Sequence, residues 1–129
     1  LGYNEIFSHL DIRPGRPCKA YEKDGRLVFI LPGNPMAAYL CTMMLVLPLL
    51  KSECFVTKKA INSENLKVKS GRANAVFGNV ADGKFVATDG GKYGSGMINH
   101  ILKSDFVLIT SPDQGEILQN SEISLIKLP

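Results

Sequence analysis

The sequence predicts an α/β segment followed by a small all-β unit, and two features of the chain carry this prediction. Residues 27–31 form an apolar run of branched and aromatic side chains, typical of a buried strand, and the long apolar stretch 36–50 is typical of a helix. After residues 51–53 the pattern changes to short segments of alternating polar and apolar residues separated by turn signals. Such spacing indicates a small β-barrel or sandwich. We therefore expect one unit at 1–52 and a second at 53–129.

The strand and the helix of the first unit are joined by Leu31-Pro32-Gly33-Asn34-Pro35. Pro32 and Gly33 are typical of a tight turn, Asn34 is a good helix N-cap, and Pro35 fits the first helical position, where its missing N–H is not needed. Ligands of α/β sheets bind at the carboxyl ends of strands, and the first N–H groups of a helix attract anions. The motif predicts an anion-binding turn, with a purely architectural turn as the alternative.

A second loop, Arg13-Pro14-Gly15-Arg16-Pro17, repeats the Pro-Gly chemistry and adds two guanidinium groups. Residues 18–21 and 26–31 read as two strands joined at Asp24-Gly25, a pair that tolerates the left-handed backbone of a hairpin turn. The hairpin connects the first loop to the second. We therefore expect both loops to face one ligand, although solvated loop arginines are the simpler interpretation of either one alone.

The remaining elements follow from periodicity and turn residues. Apolar residues at 3, 6, 7 and 10 predict a short helix at 2–10. The helix that starts at Pro35 has almost no polar face, so protein is expected on both of its sides, and Pro48 should end or kink it. A hairpin and one helix cannot bury a core alone, which predicts that the first unit belongs to a larger α/β domain. Strands of the second unit are expected at 55–58, 66–69, 75–80, 84–88, 106–109, 117 and 123–128, and a short helix at 96–103 with Met97, Ile98, Ile101 and Leu102 buried.

Composition narrows the function classes. The chain of 129 residues has 45% hydrophobic and 21% charged residues, as in a globular protein, and its net charge of +3 is spread along the sequence. No nucleic-acid partner is therefore predicted. The stretch 36–50 is too short for a membrane span and no secretory signal is visible, so we expect no membrane association and a cytoplasmic location. Three cysteines without a Cys-x-x-Cys pair predict reduced thiols, and two distant histidines predict no metal site.

The order of these motifs resembles one family from about Phe7 to the end of the chain. Ile-Arg-Pro-Gly-Arg-Pro at 12–17, a short hairpin, Leu-Pro-Gly-Asn-Pro at 31–35, a hydrophobic helix and a β-rich tail with Gly-Ser-Gly at 94–96 are similar to the C-terminal part of MoeA-type molybdopterin molybdenumtransferases, which are related to the E domain of gephyrin. The resemblance implies that 1–52 ends a three-layer molybdopterin-binding α/β domain. It also implies that 53–129 is a C-terminal β-barrel domain.

The resemblance further implies an activity, the insertion of molybdate into adenylylated molybdopterin with Mg²⁺ and release of AMP. Homodimers and a molybdopterin-adenylylating partner protein are implied as well. The family's glycine- and serine-rich pterin-binding motif is not in this sequence, so the fragment alone is expected to be inactive. The alternative is a non-catalytic interaction or dimerisation module of a related paralogue.

Residue by residue, the resemblance assigns substrate binding and no catalytic residue. Arg13 and Arg16 stand where the family has two lysines that help hold molybdate and phosphate, and Ser95 matches a serine of the molybdate site. The sequence departs from the family at His9, Ala37 and above all Phe77, where the family has an arginine before a glycine. The predicted substrate-binding residues are Arg13, Arg16, Pro32, Gly33, Asn34, Pro35 and Ser95.

Overall fold

A computed structural model describes residues 2–92 and 98–129 of the chain. The first part of the chain contains β1 (Asn4–Phe7), β2 (Ile12–Arg13), β3 (Lys19–Lys23), β4 (Arg26–Ile30), α1 (Pro35–Cys41) and α2 (Leu47–Leu50). The second part contains β5 (Thr57–Asn62), β6 (Leu66–Lys67), β7 (Ala73–Ala81), β8 (Lys84–Ala87), α3 (Asn99–Leu102), β9 (Phe106–Ile109), β10 (Glu116–Ile117) and β11 (Glu122–Lys127).

The strands of the second part close into a five-stranded mixed barrel. The order is β7-β8-β5-β11-β9, and β9 pairs back with β7. The β5–β8 pair is parallel and the other four pairs are antiparallel. Short β6 and β10 form a separate antiparallel pair. The barrel alternative of the sequence prediction is therefore confirmed.

The hairpin of the first part is also confirmed. Strands β3 and β4 pair from Lys19 with Ile30 to Lys23 with Arg26, and Asp24 and Gly25 turn the chain with φ of 52° and 76°. The predicted helix at 2–10 is wrong, because these residues form β1, which pairs antiparallel with β3. Its apolar positions do not mark a buried helical stripe, since Ile6 is 54% exposed. Here strand pairing overrides local periodicity.

Helix α1 begins at Pro35, as predicted, and Asn34 caps it. The interruption expected near Pro48 takes the form of a π-helical segment, Thr42–Val46, before α2. The N–H of Leu47 bonds to the carbonyl of Thr42, which is a π-type bond and not the α-helical one. This change comes just before Pro48, which has no N–H to donate. The expectation of protein on both sides is not met within the chain, because Leu50 is 77% exposed.

The helix packs against the outside of the barrel. Met36, Leu40 and Met43 form one buried cluster with barrel residues that include Phe77 and Val107. A second cluster fills the barrel and consists of Ala60, Leu66, Val76, Phe85, Ala87, Leu108, Ile117 and Leu125. Successive residues of β7 thus serve different clusters, as the alternation of side chains along a strand requires. The first cluster joins residues from both sides of position 52, and a domain boundary there stays a proposal.

Helix α3 lies within the predicted range 96–103 but is shorter. Ile101 is buried as predicted and Ile98 is partly buried, whereas Leu102 is 77% exposed because the short helix turns only one side to the barrel. Met97 lies outside the described residues. Within the described residues, no helix has both the length and the apolar character needed to span a bilayer.

Candidate anion-binding cleft

The two Pro-Gly loops and the entry to β7 line one cavity of about 540 Å³. This volume is in the range of small-molecule sites. Five cationic residues line it, and no aspartate or glutamate is among the described residues that do so. We call this cavity the basic cleft; its lining includes Arg13, Pro14, Gly15, Arg16, Pro32, Gly33, Asn34, Lys67, Lys69, Arg72 and Asn74.

The first loop is held at Gly15, which is buried and has a φ of +135°. Its carbonyl accepts the N–H of Cys18 at 3.1 Å. A side chain at this position would be strained by the backbone and crowded, because a Cβ would lie 3.0 Å from Ile12 and 3.2 Å from the Cys41 sulfur. Only glycine fits here, and the flanking arginines are thereby set on the cleft wall.

Two buried thiols lie beneath this loop. The Sγ of Cys41 donates to the Gly15 carbonyl at 3.9 Å, and Cys18 is fully buried beside it. Burial, with the neighbouring Cys18 thiol adding to it, raises the pKa of Cys41 to about 12, and burial also raises the pKa of Cys18. Because only the thiolate is nucleophilic, both thiols should be inert near neutral pH.

We expect a thiol-specific disulfide reagent to modify Cys54, which is only half-buried, well before Cys18 or Cys41. The latter two should react on the timescale of unfolding, and raising the pH toward 10 should speed the reaction of Cys41 little while the protein stays folded. A Cys54→Ser variant serves as the control, with no fast thiol left. Fast modification of two or more thiols in the native protein would contradict this assignment.

Arg13 connects the first loop to the barrel. Its Nη1 donates to the carbonyl of Lys69 at 2.7 Å and to that of Ser70 at 3.4 Å. A guanidinium has five donors in a rigid fork, so one nitrogen can hold the barrel loop while the others stay available to a ligand. A lysine ammonium at this position would divide three donors on one nitrogen between both tasks.

Arg16 is paired with an acid of its own loop. Its Nη1 lies 3.1 Å from the Oδ1 of Asp11, and both side chains are about half exposed. Exposed pairs of this kind add little stability, so the pairing mainly orients the guanidinium. His9 lies 3.8 Å from the same carboxylate and does not line the cleft.

The second loop lines the cleft through Pro32, Gly33 and Asn34 but offers no free N–H from the first helical turn. Asn34 Oδ1 accepts the N–H groups of Met36 and Ala37 at 3.0 and 3.2 Å, and the Asn34 carbonyl accepts that of Ala38. Pro35 has no N–H and is not part of the lining. The N–H groups of this first turn are thus bonded to Asn34, and the formal positive charge of the cleft comes from side chains.

Sequence reasoning missed the part of the lining that the barrel side supplies, which contains Lys67, Lys69, Arg72 and Asn74. The signal present in the sequence was the Gly71-Arg72 pair, which repeats the Gly-Arg step of the first loop. These residues meet the first loop because β2 pairs in parallel with the start of β7. That pairing joins residues far apart in the sequence, and no local sequence pattern predicts it.

Three other positions complete the comparison with the sequence, namely Ser95, Phe77 and His100. Ser95 lies outside the described residues. Phe77 is fully buried in the cluster that joins the helix to the barrel, and it is not part of the cleft lining. His100 is buried, lies 2.8 Å from Asp89 and joins α3 to the turn Thr88–Gly91, whose two glycines line the cleft.

The cleft residues do not fit a directly bound Mg²⁺. Magnesium prefers carboxylate oxygens, and the described lining contains none. Nor do histidine, cysteine, aspartate or glutamate gather in groups of three anywhere in the part of the chain that the structure describes. We therefore assign the metal no site on these residues.

The fold matches a moeA molybdopterin biosynthesis protein from Pyrococcus horikoshii OT3 with a TM-score of 0.81 at 23% identity, covering 98% of this chain and 33% of that one. It also matches a molybdenum cofactor biosynthesis protein from Pyrococcus furiosus with a TM-score of 0.82 at 25% identity, covering 98% of this chain and 46% of that one. The chain has the fold of part of a MoeA protein. The predicted resemblance to MoeA is thereby confirmed.

The likeness to MoeA is one of structure. No protein-family model matches the sequence, and no curated protein matches it significantly. The chain spans about a third to a half of the length of the MoeA structures it matches. Activity, substrates and partners of a complete MoeA protein therefore remain proposals for this chain.

Proposed function

We propose that this chain forms part of an enzyme of molybdenum cofactor biosynthesis that inserts molybdate into adenylylated molybdopterin and releases AMP. The observation that carries the proposal is the basic cleft, where both Pro-Gly loops and the barrel wall surround one cavity with cationic and no acidic side chains. The MoeA fold of the chain supports the same class of reaction.

The chemistry of the cleft suits these substrates. Molybdate and the phosphates of an adenylylated pterin are oxyanions, and guanidinium groups bind oxyanions through paired, charge-assisted hydrogen bonds. Arg13 and Arg16 would hold molybdate or phosphate, Pro32, Gly33 and Asn34 would shape a neighbouring part of the cleft, and Pro35 would fix the start of α1. Ser95 is proposed to donate to the same oxyanion. A cavity lined by one sign of charge also concentrates anionic ligands.

Residues 1–52 would close a three-layer molybdopterin-binding α/β domain, and residues 53–129 would be the C-terminal barrel domain. The protein would act in the cytoplasm as a homodimer, alongside a molybdopterin-adenylylating protein. Any requirement for Mg²⁺ would rest on groups other than the cleft lining of this chain.

A non-catalytic interaction module is the second candidate. It is favoured by Phe77 in place of an arginine and by the apolar residues that β4 exposes, since Leu27 is 46%, Val28 40% and Ile30 48% exposed. A strand of this kind fits against another protein surface. The same exposure is also expected if the chain packs against the remainder of a larger enzyme.

Molybdate-dependent release of AMP from adenylylated molybdopterin by the full-length protein tests the proposal. We expect turnover that requires both the protein and molybdate. A folded, dimeric protein that releases no AMP would refute the enzymatic proposal and favour the interaction module.

A further inference from the structure

Arg72 is the arginine of the basic cleft whose guanidinium has no bonding partner in the described part of the chain. Arg13 is bonded to backbone carbonyls and Arg16 is paired with Asp11. Within residues 2–92 and 98–129, the Arg72 guanidinium takes part in no hydrogen bond or ion pair, although it lines the cavity. Its five N–H donors and permanent charge are therefore left to a ligand.

The loop that carries Arg72 is firmly built. The Lys69 carbonyl accepts both Arg13 Nη1 at 2.7 Å and Asn74 Nδ2 at 2.8 Å, and the Arg72 carbonyl accepts Asn74 Nδ2 at 3.1 Å. The Gly71 N–H donates to the Pro112 carbonyl at 2.7 Å, with a φ of +98° that favours glycine. The backbone on both sides of Arg72 is thus fixed, as a binding residue requires.

The residue before Arg72 in this loop lies beside the charge of Arg13. A Cβ built on Gly71 would lie 3.8 Å from Arg13 Nη2, so the loop backbone lies directly against that guanidinium. With no carboxylate in the described lining to neutralise them, the two arginines favour a doubly charged anion over a neutral ligand.

We propose that Arg72 binds the tetrahedral oxyanion of the cleft from the barrel side, together with Arg13. The inference rests on the proposed function for the nature of the oxyanion, which is either molybdate or a substrate phosphate. Arg72 supplies from the loop before β7 the positive charge that the buried Phe77 does not supply from the strand.

Calorimetric titration of sodium molybdate and of inorganic phosphate into the full-length protein tests this assignment. Arg72→Ala should weaken binding of at least one anion tenfold or more, and Arg72→Lys should recover most of the loss. Arg26→Ala is the matched control, because Arg26 is an exposed arginine outside the cleft, and it should change either affinity less than twofold. A loss confined to molybdate assigns Arg72 to molybdate, and a loss confined to phosphate assigns it to a substrate phosphate.

Unchanged affinity of Arg72→Ala for both anions would overturn the proposal, as would failure of the unchanged protein to bind either. Thermal unfolding of each variant checks the fold, and if the alanine variant is unfolded, Arg72→Gln decides by the same criteria. A protein that shows the Arg72 effect but releases no AMP would refute the enzymatic function and support this binding site.

Discussion

Replacing Arg13 and Arg16 together with alanine is expected to lower molybdate-dependent AMP release by the full-length protein about 100-fold or more. Hydrogen bonds to charged groups contribute about 1.5–3 kcal/mol each, so the loss of two such donors amounts to about 3 kcal/mol or more. Both arginines line the basic cleft, whose described lining contains no acidic residue, and Arg16 is also paired with Asp11 beside it.

Two controls separate binding from folding in this experiment. Arg26→Ala removes an arginine outside the cleft and should keep full activity. Arg13 also joins the first loop to the barrel through the Lys69 carbonyl, so thermal unfolding of the double variant must show a folded protein. If the folded double variant keeps more than half of the activity, the oxyanion role of these arginines is wrong.

Phe77→Arg is expected to destabilise the protein by about 4–5 kcal/mol or more, rather than to restore an active-site arginine. Phe77 is fully buried and packs in the cluster that joins α1 to the barrel. An arginine there would lose the aromatic packing and bring an unpaired charge into an apolar core. That cost is a large part of the stability of a typical domain, about 5–15 kcal/mol.

Urea unfolding followed by circular dichroism measures this effect. Val86→Arg is the control, because Val86 lies on neighbouring β8 with 46% of its surface exposed. The same chemical change there should alter the free energy of unfolding by about 0.5 kcal/mol or less. A Phe77→Arg protein as stable as the control would show that this position can turn outward, and the family's arginine could then act from β7.

The sequence by itself determined the elements whose signals are local. The Asp24-Gly25 hairpin, the Asn34 cap and the start of α1 at Pro35 depend on backbone preferences and hydrogen bonds within a few residues. The sequence likewise predicted the alternating strands of the barrel and contained the two Pro-Gly motifs. These features carried the resemblance to MoeA. Periodicity failed at residues 2–10, where a neighbouring strand, not a helix, satisfies the backbone.

Only the tertiary structure decided which residues surround the cleft. The parallel pairing of β2 with the start of β7 brings Arg72 to Arg13 across 59 positions of the sequence, and no local pattern encodes such a contact. The same packing places Phe77 inside the core and lets the Asn34 cap occupy the helix N–H groups that the sequence suggested for an anion. Local chemistry selects turns and caps, whereas the charge of a cavity depends on which distant loops the core brings together.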